Sequence, residues 1–220
     1  AYRIELGLDR PAYVRYFEWA GGAIQGDFGV AMTNKREILP ELMKKFKNTL
    51  FLDGVAALIA VPISVGLGII AAINEGKWQD RWSNIVSLAT ISVPEFFIAY
   101  LLILVFAVKL RWFPSLSTVF DGMGLGEKLY KIALPALTLT MLVAAHMLRM
   151  TRSSVLAIMS QPYIEMAFLK GMPRSRVILK HALPNAAAPI ISVIALNLAY
   201  LIVGVVVIEV VFVYPGVGQY

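Results

Sequence analysis

The chain alternates between long apolar runs and shorter polar, charged segments. Residues 1–47 are mixed and polar, and four apolar runs follow at about Leu50–Ile73, Ser83–Val108, Ile132–Met150 and Ile190–Val213. Each is close to the ~20 residues an α-helix needs to cross a bilayer. Hydrocarbon offers no water to a backbone amide, so each run predicts a helix that satisfies its own N–H and C=O groups. The fourth run is rich in Val and Ile, but its length and lack of alternation read as helix rather than strand. Tyr13–Ala20 predicts a short amphipathic helix, with Gly21-Gly22, Gly26 and Gly29 breaking any longer one.

Details inside the runs refine this pattern. Ala56, Ala60, Ser64, Gly68 and Ala72 place a small residue at every fourth position of the first run, which lets a second helix approach closely. That seam is either static packing or the lining of a moving pore. Pro62 and Pro94 each remove a backbone hydrogen bond and predict kinks. Trp78, Trp82 and Trp112 flank the second run as an interfacial aromatic belt would.

Composition strengthens the membrane reading. The 220 residues are 59% hydrophobic and 15% charged, against about 45–50% and 25% in soluble domains. The net charge of +6 then reads as basic residues at membrane edges, not as a nucleic-acid surface. Without Cys, disulfides and thiolate metal sites are excluded. His146 and His181 lack matched ligands, so they read as structural. No H-E-x-x-H, G-x-S-x-G or G-x-x-x-x-G-K-[ST] pattern occurs, so no catalytic residue, metal or bound cofactor is expected. The N-terminal segment has no signal-peptide apolar region and no initiator Met, and the sequence stops just past a turn at Gln219-Tyr220. It reads as a fragment of a longer protein.

Charge sidedness gives one orientation. Segments 1–47 and 109–131 share a side and carry twelve Lys and Arg, while 74–82 and 149–189 carry eight. Taken alone, the excess puts the first side in the cytoplasm.

The run from Tyr163 to Pro184 is far longer than a crossing between two spans requires. Pro162 suits the first position of a helix, Ser160 is the better N-cap beside Gln161, and Glu165 lies in the first turn, where a carboxylate favours the helix dipole. Gly171 can end that helix in a left-handed conformation, and Pro173 starts another. Ala167 and Gly171, four apart, share a nearly bare face, ringed by Lys170, Arg174, Arg176 and Lys180. The segment reads as a protein-docking surface; an amphipathic helix on anionic lipid and an ordinary solvated connection are the other readings.

Glu165, Ala167, Gly171, Leu183 and Pro184 resemble the E-A-A, three residues, G, nine residues, I-x-L-P loop of ABC importer permeases, with Met166 and His181 as departures. Further stretches resemble the dipeptide/oligopeptide/nickel branch of that family. They are Gly26-Asp27-Phe28-Gly29, Ser92-Val93-Pro94-Glu95-Phe96, Leu134-Pro135-Ala136-Leu137-Thr138, Arg149 to Ser154 (RMTRSS), and Glu209-Val210-Val211-Phe212 with Pro215-Gly216-Val217-Gly218. They lie in order across nearly the whole chain.

The resemblance implies an all-α membrane protein, a type I ABC importer transmembrane domain with four spans visible of an expected six. Residues 1–47 would be a periplasmic segment before the core, and 48–220 the transmembrane domain without its C-terminal span. A cytoplasmic ATPase-docking loop would occupy about 153–189, an orientation opposite to that from charge. Docking would fall on Tyr163, Glu165, Met166, Ala167, Lys170, Gly171, Met172 and Arg174. Implied partners are cytoplasmic ABC ATPases carrying ATP and Mg, a second homologous permease, a periplasmic solute-binding protein and the lipid of the bacterial inner membrane. Di- or oligopeptides are the leading solutes, with nickel and modified sugars behind them. A non-transporting anchor that recruits a peripheral protein through the basic loop is the rival reading.

Ionisable and polar groups inside apolar runs are costly and usually face a bundle interior or water. Pro94, Glu95, Asn197 and Glu209 are therefore the candidates for a substrate path or gate, whereas Asp53, near a run's end, reads as interfacial.

Overall fold

The computed structural model describes residues 11–31, 35–120 and 122–219. Among them every regular element is helical, with one isolated antiparallel bridge between Val30 and Glu37. The helices are α1 (Ala12–Ile24), α2 (Ile38–Ile73), α3 (Trp78–Ile91), α4 (Glu95–Leu102), α5 (Leu125–Lys131), α6 (Ala133–Met159), α7 (Pro162–Leu169), α8 (Arg174–Val177) and α9 (Leu183–Val211). α4 runs on into π-helical turns at Ile103–Lys109, α8 joins α9 through π-turns at Ile178–Ala182, and Val217–Gln219 is a 3₁₀ turn.

α1 outlasts its expected end, since Gly21 and Gly22 continue the helix to Ile24. Each helical Gly costs about 1 kcal/mol against Ala, too little to stop a helix whose flanks favour it. Helices α2, α6 and the rod Ser175–Val211 are long and apolar enough to cross a membrane. The 36 residues of α2 extend about 54 Å against a hydrocarbon layer of about 30 Å. Glu41, Lys44, Lys45 and Lys47 therefore ride on a helical extension that begins well before the expected boundary at Leu50. The third and fourth runs lengthen likewise, at their loop ends.

The second run departs from expectation. It is not one span: α3 and α4 meet at 102° across Ser92-Val93-Pro94, and the count reaches four spans only if this bent pair crosses as one. Pro94 supplies the cause. It has no N–H to give the preceding turn and it disfavours a helical Val93. Its own carbonyl then starts α4, accepting from Phe97 N–H at 3.0 Å and Ile98 N–H at 3.3 Å. Pro62, by contrast, stays inside a continuous α2.

α6 lies at the centre, with α2, α3 and α9 packed around it. Leu52, Ala56 and Ala60 of α2, Leu139 and Met147 of α6, and Leu201, Val205 and Ile208 of α9 form one buried cluster. The small-residue ladder is the α2 side of this seam: all five members are buried. A Cβ on Gly68 would stand 2.8 Å from the Leu148 carbonyl oxygen, and Thr140 Oγ1 donates to the Ala56 carbonyl at 3.3 Å. With only small side chains in between, the two helices pack closely. Leu58, Ile63, Leu67 and Ile70 face outward from α2, as lipid requires.

Candidate functional sites

At one end of the bundle, α7, a tight turn and α8 form a compact knob. Only two residues separate α6 from α7, so Ser160 still belongs to the end of α6. Its hydroxyl donates back to the Ala157 carbonyl at 3.1 Å, and the N-cap position of α7 falls to Gln161, without a side-chain cap bond. The expected Ser160 cap is thus corrected. Pro162 occupies the first turn, and Gly171 adopts φ +75°. Gly171 N–H donates to the Phe168 carbonyl at 2.9 Å and Met172 N–H to the Ala167 carbonyl at 3.3 Å, the paired bonds of a Schellman stop. The Pro173 carbonyl then accepts from Arg176 and Val177, opening α8.

The knob's inner side is apolar. Ile164, Ala167, Val177 and Ala182 pack with Ile158, Met159 and Met172. Ala167 is 7% exposed, so its small side chain serves the knob's own packing and not the bare outward face expected from its spacing to Gly171. Facing out instead are Tyr163, Met166 and Leu169, the last 74% exposed, beside Glu165, Lys170 and Gly171. Arg174 opens α8; its side chain lies outside the described residues.

At mid-length of the bundle, a cavity of about 500 Å³ sits between the α3–α4 break, α6 and α9. Glu95, His146, Asn197, Tyr200 and Gly204 line it, with Val93 at the break. Two of the expected path residues, Glu95 and Asn197, therefore line one cavity, and Pro94 makes the bend that puts Glu95 there. Asn197 is buried; its amide donates to the Val193 carbonyl at 2.8 Å and lies 3.7 Å from Met150 Sδ on α6. His146 reached the cavity unannounced by the sequence, because its neighbours come from helices distant along the chain.

Glu209 lies elsewhere, fully buried where α9 meets the Pro215–Gly218 turn. Thr49 Oγ1 donates to Glu209 Oε1 at 2.6 Å, and Gly218 N–H donates to Oε2 at 2.7 Å. Val217 N–H in turn donates to Thr49 Oγ1 at 3.0 Å. Nearby, Asn48 Nδ2 donates to the Pro215 carbonyl at 2.9 Å and Tyr214 OH to the Asn48 carbonyl at 2.7 Å. Burial, with Glu209 and Asp53 adding to it, pushes the Tyr214 phenol above its ordinary range, so it stays a donor. A Cβ on Gly216 would overlap the Glu209 carboxylate. Asp53, one turn along α2 from Thr49, is 6% exposed. This corrects its interfacial reading: the face it shares with Thr49 packs inward.

A fourth feature went unread. Arg152 Nε donates to Asp80 Oδ1 at 2.5 Å and Nη2 to Oδ2 at 2.9 Å. Gly76 N–H and Asn84 Nδ2 also donate to the Asp80 carboxylate, at 3.0 and 2.9 Å. This forked pair ties the start of α3 to α6 just above the knob. An Asp bordering an apolar helix was the available signal; its partner lies 72 positions away. Arg152→Ala is expected to cost about 2–3 kcal/mol, below the 3–5 of a fully buried pair because Arg152 is 20% exposed. The exchange Asp80→Arg with Arg152→Asp should not recover it, since the Gly76 and Asn84 donors would face a cation. Thermal unfolding of the purified protein checks both.

A helical bundle that is apolar outside, hollow at mid-length with a few polar groups in apolar walls, and knobbed at one end is the body of a membrane permease. Residues 64–220 match the family described as binding-protein-dependent transport system inner membrane component, and the chain belongs to that family. Over 217 residues it is 37% identical to the glutathione transport system permease protein GsiC of Escherichia coli (strain K12) and to that of Shigella dysenteriae serotype 1 (strain Sd197). To GsiC of Shigella flexneri serotype 5b (strain 8401) it is 36% identical; each alignment covers 99% of this chain and 68% of the relative. The protein is a multi-pass inner-membrane permease subunit of a binding-protein-dependent ABC importer of the peptide/nickel type, a transport component and not an enzyme.

Proposed function

We propose that this permease imports short peptides, with the α7–α8 knob in the cytoplasm as the docking point for an ABC ATPase. The observation that carries this reading is the knob itself. It is braced by a Schellman stop, it presents Tyr163, Met166 and Leu169 outward, and it leads through α8 directly into α9. Apolar groups held out on a rigid mount are what a protein partner covers. A second permease, a periplasmic solute-binding protein and two ATPases holding ATP and Mg complete the machine. ATP binding draws the ATPases together, the knobs follow, and the bundles reopen outward. The nucleotide shifts the permease only by its differential contact with the two states, and the knob is where that difference enters. The larger basic count on the opposite side falls mostly in the long segment 1–47, where the charge rule has least force. The peptide reading is supported by the glutathione relatives and by the mid-length cavity, whose polar groups are few and set in apolar walls.

Affinity purification from the native membrane should bring down an ATPase pair and a second permease. In proteoliposomes the complex should accumulate short peptides only with ATP inside the ATPase compartment and binding protein outside. Purification with a single peripheral protein and no ATPase would favour the anchor reading instead.

A further inference from the structure

The mid-length cavity has a neighbour that also touches His146. A second cavity of about 390 Å³ shares Ile91, His146 and Met150 with the first and continues toward the knob, lined there by Arg149, Ser153 and Ser154. Taken together, the two adjoining cavities carry opposite charges at their outer ends. At the far end is Glu95, whose carboxylate oxygens lie 3.9 Å from where a Gly204 Cβ would stand. At the knob end is Arg149, which lines the second cavity together with Val193. Neither side chain has an ion-pair or hydrogen-bond partner among the described residues. Between them the walls are mostly apolar, from Leu139, Leu142, Val143 and Leu201, with Thr90, His146, Asn197 and Tyr200 as the polar exceptions.

Distance along α9 sets the scale. Gly204 and Val193 are eleven residues apart on one helix, about 16 Å. Side chains projecting into the cavity from both ends shorten that gap. An extended peptide spans about 3.3–3.6 Å per residue, so two or three residues place their termini at about 7–11 Å. Glu95 and Arg149 are both exposed and line these cavities; ionisable groups along the cavities of a membrane bundle mark a solute path, and two of opposite sign at this spacing complement one kind of solute.

We infer that the adjoining cavities cradle a short zwitterionic peptide, its α-ammonium at Glu95 and its carboxylate at Arg149. This rests on the peptide-import reading above and adds to it an orientation, amino end away from the knob, and a permease-borne selectivity for free termini. The apolar walls between the charges leave the peptide's side chains undiscriminated.

Trialanine is the probe. Its equilibrium binding is measured on the detergent-purified importer without binding protein, and its uptake in proteoliposomes with binding protein. Glu95→Gln and Arg149→Gln should each weaken binding and slow uptake about tenfold or more, the loss of one charge-assisted bond. Glu95→Asp and Arg149→Lys keep the charge and should lose distinctly less than the Gln variants, which separates a lost charge from a misfolded bundle. Binding of N-acetyl-trialanine should be insensitive to Glu95→Gln but still fall with Arg149→Gln. A wild-type complex that binds and imports trialanine, with both Gln variants matching it, overturns the cradle and leaves peptide import standing. A wild-type complex that neither binds nor imports trialanine or other short free peptides removes the peptide reading, and the cradle with it.

Discussion

Gly171→Trp is expected to cut ATP-driven uptake by at least about tenfold while the permease still inserts and assembles. The residue sits at φ +75° with open space where a Cβ would point. A side chain there costs the fold about 1–2 kcal/mol of backbone strain and meets nothing inside the chain. The damage falls on whatever the knob touches. Gly171→Asn is the matched control, because Asn tolerates the left-handed region and adds little bulk. Glu165→Lys tests the same surface by charge: it reverses a first-turn carboxylate worth about 0.3–1 kcal/mol to the helix, yet should uncouple ATP hydrolysis from uptake. Uptake in proteoliposomes, read beside gel filtration of the solubilised complex, checks both. Wild-type uptake by the Trp and Lys variants would remove the knob from the coupling path.

The largest loss of stability is expected from Glu209→Ala. It strands the Thr49 hydroxyl and the Gly218 N–H, both aimed at the lost carboxylate, and an orphaned buried donor costs about 1–3 kcal/mol. A total near 3 kcal/mol lowers Tm by about 6–12 °C in a chain of this size. Glu209→Gln keeps the shape but turns an NH₂ toward one of two donors, so it should lose roughly half as much. Gly216→Ala attacks the same contact from the other side by driving a methyl into the carboxylate. The two Ala substitutions together should cost less than their sum, since removing the carboxylate makes room for the methyl. Strict additivity in thermal unfolding would show that the two positions do not share a contact.

Local signals were readable and distant pairings were not. Three of the four apolar runs placed single long helices because a bilayer imposes length and composition on any helix that crosses it. Pro162, Gly171 and Pro173 marked the knob because each acts on its own backbone. The bend at Pro94 was legible as a kink, but its 102° depends on what packs around it. Ala167 was misread because spacing tells which residues share a helix face, and not which face turns inward. Thr49 and Glu209 lie 160 positions apart, Asp80 and Arg152 72 apart, and no periodicity links them. Glu95 and Asn197 were found as polar groups in apolar runs, yet only the tertiary fold puts them in one cavity and leaves Glu209 out of it.

The rod from Ser175 to Val211 joins the two ends of the molecule without an intervening loop. A helix neither stretches nor shortens appreciably along its axis, so it acts as a pushrod. On the docking reading proposed for the knob, a displacement of Ser175 would travel, within the give of the π-turns at Ile178–Ala182 and of Pro189, toward the Glu209 clasp about 50 Å away. On that same proposal, the bonds of Thr49, Asn48 and Tyr214 there would pass an axial thrust on that helix to its neighbour α2.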